Sequence, residues 1–182
     1  LAPLEDMAEL ARQFAAFAKR KNRMVAFVPT STAFARSVAP HDFTAVKVGA
    51  SPYFDLKTWN PRGDCAKKLR AGVNQARRAG VEVEMISEGV DESLKKETAE
   101  LCLRWLGSRR SATTFGWLVA LDPFLHSEYK KYFAARVNGK LVGFLAASPI
   151  PARRAWYLED VLREPDTPPG TSTLLVFEAL TK

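Results

Sequence analysis

Between Lys131 and Ser148 the chain reads KYFAARVNGKLVGFLAAS, two apolar runs joined by Asn138-Gly139. An Asn-Gly pair readily takes the two successive positive φ angles of a type I′ turn, and that turn matches the twist of its flanking strands. The stretch predicts a tight antiparallel hairpin. A third strand is predicted over Ala155 to Leu162, then a Pro-Pro-Gly turn, then a helix from Thr171 to Lys182.

The elements before the hairpin extend this pattern. Val81 to Ile86 alternates as a strand does. Asp91 is placed to cap a helix running to Trp105 or Leu106, with Leu94, Leu101, Cys102 and Trp105 on its inner face. Phe115 to Leu121 reads as extended, and Pro123 to Tyr129 as a short helix. In the first half, apolar residues at Met7, Leu10, Ala11, Phe14, Phe17 and Ala18 predict a helix over Leu4 to Lys21. Strands are expected at Arg23–Val28, Ala45–Val48 and Tyr53–Leu56, with a short helix over Ser31–Val38. Asp64 is expected to cap a helix from Cys65 to Ala79, which Gly80 ends. The two halves alternate in a loosely similar way, without a residue-level repeat.

Composition narrows the class. Of 182 residues, 47% are hydrophobic and 26% charged, which suits a folded domain. No run reaches the roughly 18 apolar residues of a membrane span. The first twenty residues read as an amphipathic helix, not as a secretory signal. The chain opens on Leu1, not Met, and is expected to be a piece of a longer one. Cys65 and Cys102 are expected to be reduced and intracellular, and with two histidines they form no zinc pattern. The net charge of +7 favours a polyanionic partner over mere solubility.

The order strand, helix, hairpin, strand, turn, helix resembles the α+β fold, with its mixed sheet, of the GCN5-related N-acetyltransferases. In that fold the turn after the splayed strand presents backbone N–H groups to a pyrophosphate. The usual Gln/Arg-x-x-Gly-x-Gly/Ala pattern is replaced here by REPDTPPGTS, with one glycine. That change argues against an acetyl-CoA enzyme.

A second resemblance covers nearly the whole chain. YLEDVLREPDTPPGTSTLLVFEAL is similar to the Asp-x-x-Arg…Pro-x-Gly-Thr segment of the C-terminal domain of phosphatidylglycerol lysyltransferases, the DUF2156 family. FAAFAKRKNRMVAFVPTS, VKVGASPYFDL, KKLRAGVNQARRAGVEVEM and ARVNGKLVGFLAASPI resemble, in order, that family's opening helix and strand, its strand pair, its Arg/Asn helix and its hairpin. The resemblance implies a tandem pair of acyltransferase-like folds. They are expected here as residues 1–80, incomplete at the N-terminus, and 81–182, truncated at the C-terminus. It implies transfer of an aminoacyl group from aminoacyl-tRNA to a lipid hydroxyl, with no cofactor besides that donor. An anionic phospholipid acceptor and a place at the cytoplasmic face of the membrane follow from the same likeness.

Such transfer needs a proton acceptor for the attacking hydroxyl, stabilisation of an oxyanion and a proton for the leaving ribose oxygen. Asp160 and Arg163 match the family's Asp-x-x-Arg and are the candidate catalytic residues. If the strand ends near Leu162, Arg163 turns toward Asp160. Asp160 would then orient the acceptor or the amino group, and Arg163 would hold a phosphate or the oxyanion. The plainer alternative is an exposed ion pair at a strand end. Glu159 and Glu164 are expected to be solvated. Gly170 and Thr171 are candidates for binding an anion through their amides, with Thr171 also expected as the N-cap.

Arg70, Asn74 and Arg77 follow i, i+4, i+7 spacing and are the candidate tRNA-binding stripe; the alternative is a solvated helix face. Lys130-Lys131 is among the other basic clusters, and Trp59 and Trp156 are candidate stacking residues or core. His41 and His126 fall in loops. Two other classes remain open: an acyl-CoA-dependent N-acyltransferase, and a non-catalytic module binding RNA or a membrane.

Overall fold

The Asn138-Gly139 turn forms as expected, with φ of 49° and 79° at its two residues. A computed structural model describes residues 3, 6–86, 89–108 and 121–182 of the chain. These fall into two compact units, residues 1–53 and 54–182.

The first unit holds helix α1 (Met7–Arg20), helix α2 (Thr32–Val38) and a 3-10 turn at Ala39–His41. Ser31 caps α2 by accepting a 3.1 Å bond from the Phe34 amide. Phe27 gathers the aromatic side chains, its ring centroid 5.3 Å from that of Phe34, 5.6 Å from Phe43 and 6.4 Å from Phe14. The strands expected at Arg23–Val28, Ala45–Val48 and Tyr53–Leu56 do not form. A strand needs a hydrogen-bonded neighbour, and among the described residues none pairs with these segments.

The second unit is built on four strands: β1 (Glu82–Ile86), β2 (Lys131–Val137), β3 (Lys140–Ile150) and β4 (Ala155–Arg163). They pair antiparallel in the order β1-β2-β3-β4. With helices α3 (Lys67–Arg78), α4 (Glu92–Gly107) and α5 (Thr171–Thr181), this is a mixed α/β fold. A 3-10 turn at Asp64–Ala66 leads into α3, and the Asp64 side chain caps nothing. Asp91 does cap α4, accepting from the Leu94 amide at 2.7 Å. Gly80 takes a positive φ of 79° just after α3. Pro123–Tyr129 contributes only a 3-10 turn at Ser127–Tyr129. The strand expected at Phe115–Leu121 and the basic pair at 109–110 lie outside the described residues, apart from Leu121.

Alternation along the strands builds two cores. Phe133, Ala135, Leu145 and Ala147 face Val73 and Ala76 of α3 and Leu174 and Leu175 of α5. Tyr132, Ala134, Phe144, Ala146 and Leu162 face Leu94, Leu101 and Cys102 of α4. Each large apolar side chain buried here contributes about 1.5–3 kcal/mol relative to exposure. Among the described residues no helix is long and apolar enough to cross a membrane.

Two bulges interrupt the ladders. Val142 is the extra residue of β3 opposite β2, since Ala135 pairs with Gly143 and Arg136 with Leu141. On β4, Asp160 pairs with Ala146 and Leu158 with Ala147, so Glu159 is extra. A bulge adds one residue without a partner and re-aims the side chains around it.

Candidate functional site

The β4 bulge decides what faces what. In an unbroken strand Leu158 and Asp160 would share a face. Here Leu158 packs with Val161 on the α3/α5 side. Asp160 lies in register with Ala146 of the α4-side core, and its charge is felt at Cys102 on α4. Glu159 reaches the same side, where its carboxylate forms an ion pair with Lys130. Two consecutive residues thus bring carboxyl groups to one side of the sheet.

The surroundings are dense with ionisable groups. The Lys130 ammonium also donates to the Pro123 carbonyl at 3.1 Å, and the Tyr132 hydroxyl donates to the same oxygen at 3.2 Å. Burial, the Glu159 charge and Asp122 raise the Asp160 carboxyl above the ordinary aspartate range, while Lys130 opposes them. Burial first, then Asp160, pushes the Cys102 thiol up to about 11. Burial, Glu159, Asp122 and Glu128 push the Tyr132 phenol up to about 12. Cys102 and Tyr132 are therefore neutral near pH 7. A half-buried aspartate that holds its proton more tightly than usual is the better proton acceptor, because a catalytic base works best when its pKa lies near the working pH.

Arg163 sits elsewhere. β4 continues through Arg163, which pairs with Gly143. Positions 160 and 163 then fall on opposite faces. The Arg163 guanidinium donates to the carbonyls of Glu164 and Pro165, each at 3.2 Å, and is exposed. No ion pair joins it to Asp160 among the described residues. A guanidinium carries five N–H donors, so others remain for a ligand.

The two glutamates expected in solvent are not there. Glu164 is 8% exposed and accepts from Arg104 of α4 at 2.7 Å. Glu159 is engaged by Lys130, so Lys130 is not a solvent-facing cation for RNA. Lys131 is exposed, its ammonium 5.0 Å from the Trp156 ring. These pairings escaped the sequence reading because neither partner is near the other in the chain. The available signal was the adjacency of Glu159 to Asp160.

At the start of α5, Gly170 and not Thr171 holds the cap position, with φ 89°. A Cβ on Gly170 would lie 2.1 Å from the Gly72 carbonyl oxygen of α3, so this glycine permits two helices to touch. Thr171 is buried and its hydroxyl donates to the Pro168 carbonyl at 2.7 Å. On α3, Arg70 is tied to the Pro61 and Gly63 carbonyls at 3.1 and 2.6 Å. Arg77 pairs with Glu178 of α5 at 2.7 Å, while Asn74 is exposed. Trp59 packs edge-on against Phe177, ring centroids 5.7 Å apart.

Comparison with known proteins sets this site in a family. No curated protein matches the sequence. The crystal structure of the C-terminal DUF2156 domain of a protein described as a lysylphosphatidylglycerol synthetase, from Agrobacterium fabrum, matches with a TM-score of 0.73 and 20% identity. That match covers 99% of this chain and 57% of the other. The structure of L-PGS from Bacillus licheniformis matches with a TM-score of 0.54 and 17% identity, over 70% of this chain and 38% of that one. At such identities the likeness is one of fold, and the chain spans little more than half of the first relative. The family model for the C-terminal region of phosphatidylglycerol lysyltransferase matches residues 2–182, and the chain belongs to that family.

Proposed function

We propose that the protein transfers an aminoacyl group from aminoacyl-tRNA to a lipid hydroxyl such as that of phosphatidylglycerol. The observation that carries this reading is Asp160. It is the family-matched aspartate, half-buried, on the α4-facing side of β4 next to the bulged Glu159, with its proton affinity raised by its surroundings.

Asp160 takes the proton of the acceptor hydroxyl as its oxygen attacks the ester carbonyl. The carbonyl becomes an oxyanion, while Arg163, on the other face of β4, is proposed to hold a substrate phosphate through its remaining N–H donors. The C–O bond to the tRNA ribose then breaks, and the ribose oxygen takes the proton back from Asp160. A new ester forms, and no covalent enzyme intermediate is required. Gly170 is proposed to lie against a phosphate of the donor or acceptor. Thr171, buried with its amide and hydroxyl both on the Pro168 carbonyl, supports that turn from within. Asn74 with the neighbouring exposed Lys67, Lys68 and Arg78 of α3 supplies cations and donors for the tRNA backbone; Arg70 and Arg77 join them by exchanging their present partners. Residues 1–80 and 81–182 are proposed as two acyltransferase-like halves.

The test is transfer of labelled aminoacyl groups from charged total tRNA into extracted lipid by the full-length protein. Ribonuclease-sensitive labelled lipid is expected, with Asp160→Asn reducing transfer by at least about a hundredfold while tRNA binding persists. Unchanged transfer in that variant removes Asp160 from the mechanism. No labelled lipid from a folded protein, together with acetyl-CoA binding, supports the acyl-CoA enzyme instead.

A further inference from the structure

Lys130 is used by none of the roles above, yet it is the most committed cation beside Asp160. Its side chain is 9% exposed. Enclosing an ammonium to that degree is costly unless its donors are satisfied. One hydrogen bond and one opposite charge meet it: the Pro123 carbonyl accepts at 3.1 Å, and the carboxylate of Glu159, the extra residue of the β4 bulge, forms an ion pair with it. Lys130 thus ties the segment before β2 to the one position of β4 without a ladder partner. A bulge residue is free to turn, and this contact removes that freedom.

We propose that Lys130 is a positioning residue for Asp160: it clamps the bulged Glu159 against the Pro123 segment, which fixes that carboxylate beside Asp160 and keeps Asp160, already held toward α4 by its pairing with Ala146, open to an incoming hydroxyl. Its consequence for catalysis rests on the reading of Asp160 as proton acceptor.

The charges around Asp160 come from several elements. Glu159 on β4 and Asp122 in the segment before β2 disfavour its ionised form, and Lys130 favours it. Cys102 on α4 and Tyr132 on β2 face the same region as neutral groups, and Glu128 acts on Tyr132. Removing Lys130 alone leaves the acids unopposed, so Asp160 holds its proton to higher pH. Removing Glu159 alone acts in the opposite sense. Removing both makes the two changes offset.

The experiment titrates the Asp160 carboxyl by ¹³C NMR in the full-length protein, and follows the pH profile of transfer, for four variants. In Lys130→Met the Asp160 midpoint and the acid limb of the profile move up together, and transfer near neutral pH falls about tenfold to a hundredfold. Lys130→Arg restores both. Glu159→Gln moves the midpoint down, and Lys130→Met/Glu159→Gln returns it toward the parent value. An Asp160 midpoint that does not move in folded Lys130→Met overturns the proposal. Should that variant fail to fold, an unmoved or raised midpoint in Glu159→Gln overturns it equally. If the midpoints move as stated but the transfer profile does not follow, the link from Lys130 to Asp160 stands and the reading of Asp160 as proton acceptor falls.

Discussion

The two faces of the sheet are held by different means. On the α3/α5 side the contact is aliphatic and very close, with Gly170 set against the Gly72 backbone and Leu174 and Leu175 in the core. On the α4 side an aromatic trio, Phe124, Tyr132 and Phe144, packs with centroids 5.3–5.6 Å apart, and ionisable groups gather beside it. One face is a joint and the other is a wall with chemistry along its edge. Burial is therefore not the only demand on the α4 side. Its groups are half-enclosed, so their charges act strongly on one another without being removed from solvent.

Adjacent residues of β3 give the sharpest comparison, since Phe144 points to one face and Leu145 to the other. Phe144→Ala should cost about 3–5 kcal/mol and Leu145→Ala about 2–5 kcal/mol in denaturant unfolding. The first should also perturb transfer through the Asp160 surroundings, and the second should leave the transfer pH profile in place. Equal effects on that profile would break the distinction between the faces. Gly170→Ala should destabilise by on the order of 3 kcal/mol, because the new methyl meets backbone and the φ is positive. A Gly170→Ala protein as stable as the parent would show that α3 and α5 are not in contact there.

On the α4 side, Arg104→Ala leaves buried Glu164 without its ion-pair partner. The expected loss is about 1–2 kcal/mol, limited because the Arg104 side chain is 43% exposed and solvent screens it. The smallest effect has the opposite sign. The Asp160 carboxyl is raised in the folded chain, so its contribution to stability is complete below the ordinary aspartate range and is lost as pH rises through the raised value. Asp160→Asn should therefore be slightly more stable than the parent at neutral pH, with the difference vanishing in acid. Melting curves at pH 7 and pH 3 check this. A variant less stable at pH 7 would mean that the Asp160 carboxylate is held by favourable contacts.

Much of the second unit was legible from local chemistry. Asn138-Gly139 set the hairpin, Asp91 marked the start of α4, and apolar runs marked β3 and α5. The strands of the first half were misread because an apolar alternation shows what a strand would bury, not whether a neighbour exists to pair with it. The candidate site was legible in part. Asp160 stood out through the family motif, but its separation from Arg163 followed from β4 continuing one residue further than Leu162. Lys130 and Glu159 were hidden for a different reason. Period-two alternation places Glu159 on the α3/α5 side, and only the bulge reverses that. The Gly72–Gly170 approach was equally invisible, being a meeting of two helices remote in sequence.

The bulge at Glu159 has one more effect, on how β4 tolerates change in length. Leu158 already faces as it would in a regular ladder that ran directly from Ala147 to Ala146. Deleting Glu159 would therefore leave every other β4 residue opposite its present partner, with both cores intact. The carboxylate behaves as an insertion that chain length can accept or discard, so chemistry at this strand edge is free to vary while the architecture behind it stays constant.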